Sequence, residues 1–125
     1  MDINKIKSNL QMKNFYFSNC SFIRGAIVED GEFNMNLQKE ISSIGNHEYR
    51  VVLITSVEKE DMKLELIAQA DFLYESDDYS REEAIINANT VAIMFPFIRS
   101  QVTLLTSQPG MTPIVLPAIN TQKFK

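Results

Sequence analysis

The sequence predicts a single α+β domain over residues 1–125: a four-stranded antiparallel sheet, a long C-terminal helix and an apolar, proline-rich loop. Three observations predict it. Four runs of strand-like composition, divided by polar or glycine-containing turns, fill the chain up to Tyr74. From Ser80 to Thr106 the apolar residues recur at helical spacing instead. From Met111 to Ile119 the chain is apolar but carries Pro113 and Pro117, which withhold amide donors and prevent a helix.

The first predicted strand, residues 14 to 24 (NFYFSNCSFIR), is rich in aromatics, with Phe15, Phe17 and Phe22 around small polar residues. Gly25 and Glu29-Asp30-Gly31 then mark a turn or crossover loop. From Glu32 to Ile41 the alternation is strict: Phe33, Met35 and Leu37 face one way, Asn34, Asn36 and Gln38 the other. That is a strand with one wet face. Ser42 to Glu48, around Gly45-Asn46, is a turn.

The third strand runs from about Tyr49 to Glu58. Tyr49, Val51, Leu53 and Val57 share one face, and Val52 and Ile54 make the other apolar too, so both faces are expected to be covered. Glu58 to Lys63 is a polar hairpin turn, and Leu64 to Tyr74 is the fourth strand. Short connections between successive strands favour antiparallel pairing.

Ser80-Arg81-Glu82-Glu83 fits a capping box, with Ser80 and Glu83 bonding each other's amides. The helix is expected to run to about Thr106, with Pro109-Gly110 beyond it and a bend at Pro96. It carries two apolar stripes. Ala84, Ala88, Val91, Phe95, Ile98, Val102 and Leu105 form one; Ile86, Ile93, Phe97 and Leu104 form the other. One stripe covers the sheet, so the second requires another partner. Arg99 is the only charged residue between Ala84 and Gln122, which points the same way: Ile86, Ile93, Phe97 and Leu104 are the expected oligomer interface. A loop as apolar as Met111 to Ile119 must either pack on something or bind something.

Composition narrows the chemistry. Twelve basic against sixteen acidic side chains give a net charge of −4, the wrong sign for gripping a phosphate backbone, so no nucleic acid is expected. One cysteine and one histidine leave little material for a zinc site or a nucleophilic triad. Cys20 reads as a small buried hydrophobe, and His47 as a turn residue. Glu75, Asp77, Asp78, Glu82 and Glu83 lack the spacing of a calcium loop and read as a solvated helix N-terminus. The four glycines are scattered at 25, 31, 45 and 110, so no phosphate loop and no use of ATP are expected. No catalytic residue, metal or cofactor is therefore assigned, and the protein is not expected to be an enzyme. Met1 to Lys13 lack the apolar core of a signal peptide, and Val91 to Ile98, the most apolar run, is far short of the roughly 20 residues a membrane span needs. A soluble, cytoplasmic protein is expected, with no membrane partner.

Phe95-Pro96-Phe97-Ile98-Arg99 in the helix, followed by Pro113-Ile114-Val115-Leu116-Pro117-Ala118-Ile119, resembles the SecB family of bacterial export chaperones. The resemblance covers roughly residue 12 to the end. It implies a dimer of dimers, a homotetramer, that holds unfolded polypeptides in apolar grooves without ATP. On that resemblance, Phe33, Met35 and Leu37 are one wall of a client groove and Met111, Ile114, Val115, Leu116 and Ile119 another; the alternative is ordinary core. Methionine suits a promiscuous surface because it repacks easily.

The chain also departs from the family. The family continues past the apolar loop into a second helix and a tail that touches the SecA motor and in many members binds zinc, whereas this sequence stops at Lys125. Asn19 and Ile23 stand where the family places acidic residues used against SecA. Weak SecA binding is the expectation, with a dedicated client such as an antitoxin as the role that shorter SecB-like proteins serve. General export is the other role within the class. A scaffolding oligomer without client binding is the reading outside it.

Overall fold

The computed structural model describes residues 10–25 and 32–118. Among the described residues four strands, β1 (Leu10–Arg24), β2 (Asn34–Gly45), β3 (Glu48–Lys59) and β4 (Met62–Tyr74), precede the helix α1 (Glu82–Thr106). All pairings are antiparallel and the sheet order is β1-β4-β3-β2. β1 and β2 are thus the two edges of the sheet; most of the predicted turn or crossover loop between them lies outside the described residues. The predicted turns are wider than those observed. β2 continues to Gly45 and β3 resumes at Glu48, while only Glu60 and Asp61 separate β3 from β4.

α1 lies on one face of the sheet. Val51, Leu53 and Val57 of β3 and Leu64, Leu66, Ala68, Ala70 and Phe72 of β4 point toward it and are fully buried. They meet Val91, Met94, Phe95, Ile98 and Val102 of the helix in one core. The helix crosses diagonally. Its start touches β2 and β3, where Lys39 Nζ donates to the Asn87 carbonyl at 2.9 Å and the Tyr49 hydroxyl donates to Glu82. Its second half follows β1, with Phe97 against Phe15 and Gln101 near Cys20. Pro96 sits inside α1 without ending it. Within the protomer α1 covers one face of β3, and Val52 and Ile54 on the other are half-buried.

β1 breaks strict alternation twice. Its register slips between Lys13 and Tyr16 and again between Phe17 and Asn19, with Asn14 at φ 58° in the first slip. Each slip inserts a residue and inverts the phase of the strand. Phe17 therefore pairs beside Ala68, and Phe22 beside Leu64, both on the helix side. An uninterrupted strand would place residues 17 and 22, an odd distance apart, on opposite faces.

The predicted capping box is also corrected. Arg81 occupies the N-cap position without a side-chain cap, and Ser80 instead bonds Asp78, its amide at 2.9 Å and its hydroxyl at 3.1 Å. A tertiary network claims the first turn. Glu82 accepts from Tyr49 and faces His47 Nδ1 at 2.5 Å, and His47 stacks on Tyr79 with ring centroids 3.8 Å apart. Glu82 is thus a half-buried staple between the β2–β3 turn and α1, not a solvated acid. Cys20 is exposed, against the expectation of burial, because β1 is an edge strand.

Candidate functional site

The second helical stripe divides in the structure. Phe97 is 48% and Leu104 65% exposed, and Ile93 is half-buried. Ile86, assigned to the same interface, is only 2% exposed, and that assignment is corrected. Ile86 precedes Phe97 and Leu104 by eleven and eighteen residues, about three and five turns at 3.6 residues per turn, so it shares their direction on the helix. The β2–β3 turn and Tyr79 close over that end: Ile86 lines an open cleft of about 630 Å³ with Ile41, His47, Tyr49 and Tyr79. Ala84, placed on the core stripe, is exposed. What remains open on α1 is Ile93, Phe97 and Leu104, widened by Phe15, whose ring lies 5.0 Å from that of Phe97.

The expected groove residues also separate. Phe33, Met35 and Met111 pack against the core while remaining partly exposed. Leu37 (8% exposed), Ile114 (6%) and Leu116 (0%) are buried in the protomer's own core, which corrects their assignment to an open wall. Val115 is 68% exposed. Ile119 lies outside the described residues.

The segment after α1 alternates with a period of two. Ile114 and Leu116 point inward, while Pro113, Val115 and Pro117 are exposed. The outward side is therefore an unbroken Pro-Val-Pro strip, and the inward side anchors it. Arg24 fixes the approach to this segment from β1, donating to the carbonyls of Pro109 at 2.9 Å and Gly110 at 3.2 Å. Sequence reasoning treated the segment as one apolar block and missed its two sides. The alternating exposure of an extended chain was the signal that could have divided them.

The cleft beside Ile86 holds the one histidine of the chain, but its polar groups serve each other. One Glu82 oxygen takes Tyr49 and the other faces His47. The Tyr49 hydroxyl is pushed up to about 12, first by its hydrogen bond to Glu82, then by burial and by the charges of Glu82 and Glu83. A proton held that firmly ties elements together and is poorly placed for transfer near neutral pH. Among the described residues no group of three or more His, Cys, Asp or Glu side chains is arranged to hold a metal ion, and no helix is long and apolar enough to cross a membrane.

No protein-family model matches the sequence. An uncharacterized protein of Methanocaldococcus jannaschii is 28% identical over an alignment of 127 positions that covers 91% of this chain and 81% of that protein. Among solved structures, the Mycobacterium tuberculosis Rv1957 SecB-like chaperone, in complex with a ChAD peptide from the Rv1956 HigA1 antitoxin, superposes with a TM-score of 0.71 at 12% identity, over 93% of this chain and 91% of that one. A protein of unknown function from Streptococcus agalactiae gives a TM-score of 0.48 at 9% identity, over 87% of this chain and 97% of its own. The order β1-β4-β3-β2, the long helix α1 and the first of these superpositions identify the fold, which is similar to that of the Rv1957 SecB-like chaperone.

Proposed function

We propose that the protein is an ATP-independent holdase that keeps a dedicated client polypeptide, such as an antitoxin, unfolded in apolar grooves of a homotetramer. The observation that carries this reading is the strip of Pro113, Val115 and Pro117, held outward on an anchored segment of a SecB-like fold. That the Rv1957 chaperone was solved with an antitoxin peptide supports the choice of client. Phe33, Met35 and Met111 supply the adaptable remainder of the groove, and Ile93, Phe97 and Leu104 the contact between protomers.

The energetics are adequate without chemistry. An extended client burying roughly 800 Å² of apolar surface gains about 20 kcal/mol gross at 25 cal/mol per Å². Association and ordering offset about half, which leaves micromolar to nanomolar binding. Folded chains hide the segments such a groove reads, so selectivity follows from the client's own folding rate.

Export is the weaker reading within this class. Asn19 and Ile23, on the strand where the resembled family carries its SecA-facing acids, present an amide bonded to Glu65 at 3.5 Å and an exposed aliphatic side chain. Losing a charge pair from a polar interface typically costs a few kcal/mol. The scaffolding reading draws support from the burial of Ile114 and Leu116, because part of the loop completes the protomer itself.

One comparison separates the three. Excess protein, without nucleotide, is added to a denatured, slowly folding substrate and light scattering is followed. Calorimetry then titrates the protein against SecA and against an unfolded antitoxin segment. Suppressed scattering with preference for the antitoxin is the expected result. Unchanged scattering returns the protein to the scaffolding reading, and submicromolar SecA affinity without antitoxin preference restores export.

A further inference from the structure

Segment 112–118 belongs to no strand ladder of the described sheet, yet its backbone is held at three points by side chains of α1. Arg99 Nε donates to the Leu116 carbonyl at 3.0 Å. Thr103 Oγ1 donates to the Ile114 carbonyl at 2.8 Å. The Ile114 amide donates to Thr106 Oγ1 at 2.8 Å, and that hydroxyl in turn donates to the Val102 carbonyl at 2.8 Å.

Positions 99, 103 and 106 follow i, i+4, i+7 and so share one side of the helix. They act as a surrogate strand edge, offering donors and acceptors at intervals to an extended chain. The partners suit the segment: Pro113 and Pro117 have no amide to give, so the attachments fall on the carbonyls and on the Ile114 amide. Arg99 is the one charged side chain between Ala84 and Gln122, and its hydrogen bond goes to a main-chain carbonyl. A charge kept in an otherwise uncharged stretch is thus used to place a loop.

We propose that Arg99, Thr103 and Thr106 are positioning residues for client capture. They hold 112–118 extended and in one rotational setting, so that Ile114 and Leu116 anchor while Pro113, Val115 and Pro117 meet the client. The inference rests on the holdase reading and adds to it the device that keeps the groove wall formed before a client arrives. A wall that is ordered in advance does not cost ordering entropy on binding.

The test uses the full chain with Arg99→Met and Thr103→Val, which remove two donors while keeping similar bulk. Hydrogen exchange of the free protein is followed at the Ile114 amide, the one amide of the segment held by α1. Binding is measured by anisotropy with a labelled, reduced and carboxymethylated unfolded polypeptide as probe, and thermal melting monitors the fold. Each lost hydrogen bond corresponds to roughly a five- to tenfold change in a local equilibrium, so exchange in the segment should accelerate at least tenfold and probe affinity fall about tenfold. Arg99→Lys, which keeps a donor, should recover most of the affinity. If the double variant melts too early to use, Thr103→Val alone is measured.

Unchanged exchange overturns the clamp. Faster exchange with unchanged affinity overturns its role in capture. A wild-type protein that binds no unfolded polypeptide overturns the holdase reading and this role with it, and the exchange data still report whether the three side chains hold the segment, which tells the two failures apart.

Discussion

The Phe97 ring on α1 lies 5.0 Å from the Phe15 ring on β1, tilted by 38°, and Phe15 in turn meets Phe17 edge-on at 5.3 Å. The contact joins the open stripe of the helix to an edge strand of the sheet. It exists because the slip at Asn14 brings Phe15 to the helix side. The resulting aromatic pad continues an exposed line through Phe97 and Leu104, so burial of this pad by another protomer is the expected basis of assembly.

Light scattering at micromolar concentration should therefore report about four times the 14.3 kDa protomer mass. Phe97→Glu should reduce that mass while leaving the helical circular dichroism unchanged, since it places an unpaired charge in the contact but not in the protomer core. A stable wild-type monomer contradicts the assembly.

Val115→Asp should weaken capture of an unfolded polypeptide by about tenfold with little change in melting temperature, because the side chain is 68% exposed and anchors nothing. Leu116→Asp is a different experiment. Leu116 is fully buried, and a carboxylate there should cost about 3 kcal/mol or more and unfold a marginal domain. Equal melting temperatures for the two variants would show that the inward and outward sides of the segment are misassigned.

Arg50 reaches Asp71 from β3 through Nε at 2.9 Å and Nη2 at 3.4 Å. That hydrogen bond first, then one from Asn14 and the charges of Arg50 and Lys13, holds the Asp71 carboxyl below its ordinary value, against burial, which raises it. A depressed carboxylate stabilises the fold above its unfolded value, near 4, and the gain is lost as pH falls through the folded value. Urea unfolding of wild type and Arg50→Met should differ by a constant amount from pH 7 to about pH 5 and converge below about pH 4. A gap that widens on acidification contradicts the assignment.

Tyr49→Phe should cost about 1–3 kcal/mol near neutral pH by removing the donor to Glu82. The sign of the alkaline dependence is opposite to that of Asp71. The Tyr49 value is raised to about 12, so its contribution is complete below the ordinary phenol value near 10 and fades as pH climbs toward 12. Phenolate absorbance of wild type minus variant should show a titration near the upper value. A difference titration near 10 would mean that the Tyr49–Glu82 bond does not persist in solution.

What the sequence determined by itself was whatever rests on local periodicity. Phe33, Met35 and Leu37 alternate, so β2 and its inward face were legible, and the span of apolar residues to Thr106 located the end of α1. The surplus of apolar surface on the helix was legible too, and Phe97 and Leu104 do stand open. The tertiary structure decided everything that depends on which element lies opposite. Ile86 shares the helical direction of Phe97, yet Tyr79 and the β2–β3 turn cover it. Ser80 has the chemistry of a cap but bonds Asp78 instead, and Glu82 in the first turn is claimed by Tyr49 of β3 and His47 of the β2–β3 turn, more than thirty residues away in sequence. Phe15, Phe17 and Phe22 of β1 share the helix face only through its register slips, which are settled by pairing with β4. Val115 and Leu116 are apolar neighbours, and tertiary contacts divide them: Leu116 enters the core and Val115 stays exposed, on a backbone bonded by Arg99, Thr103 and Thr106. The physical reason is common to these cases: periodicity states which residues share a side, whereas burial depends on contacts between segments far apart in the chain, which no local pattern encodes.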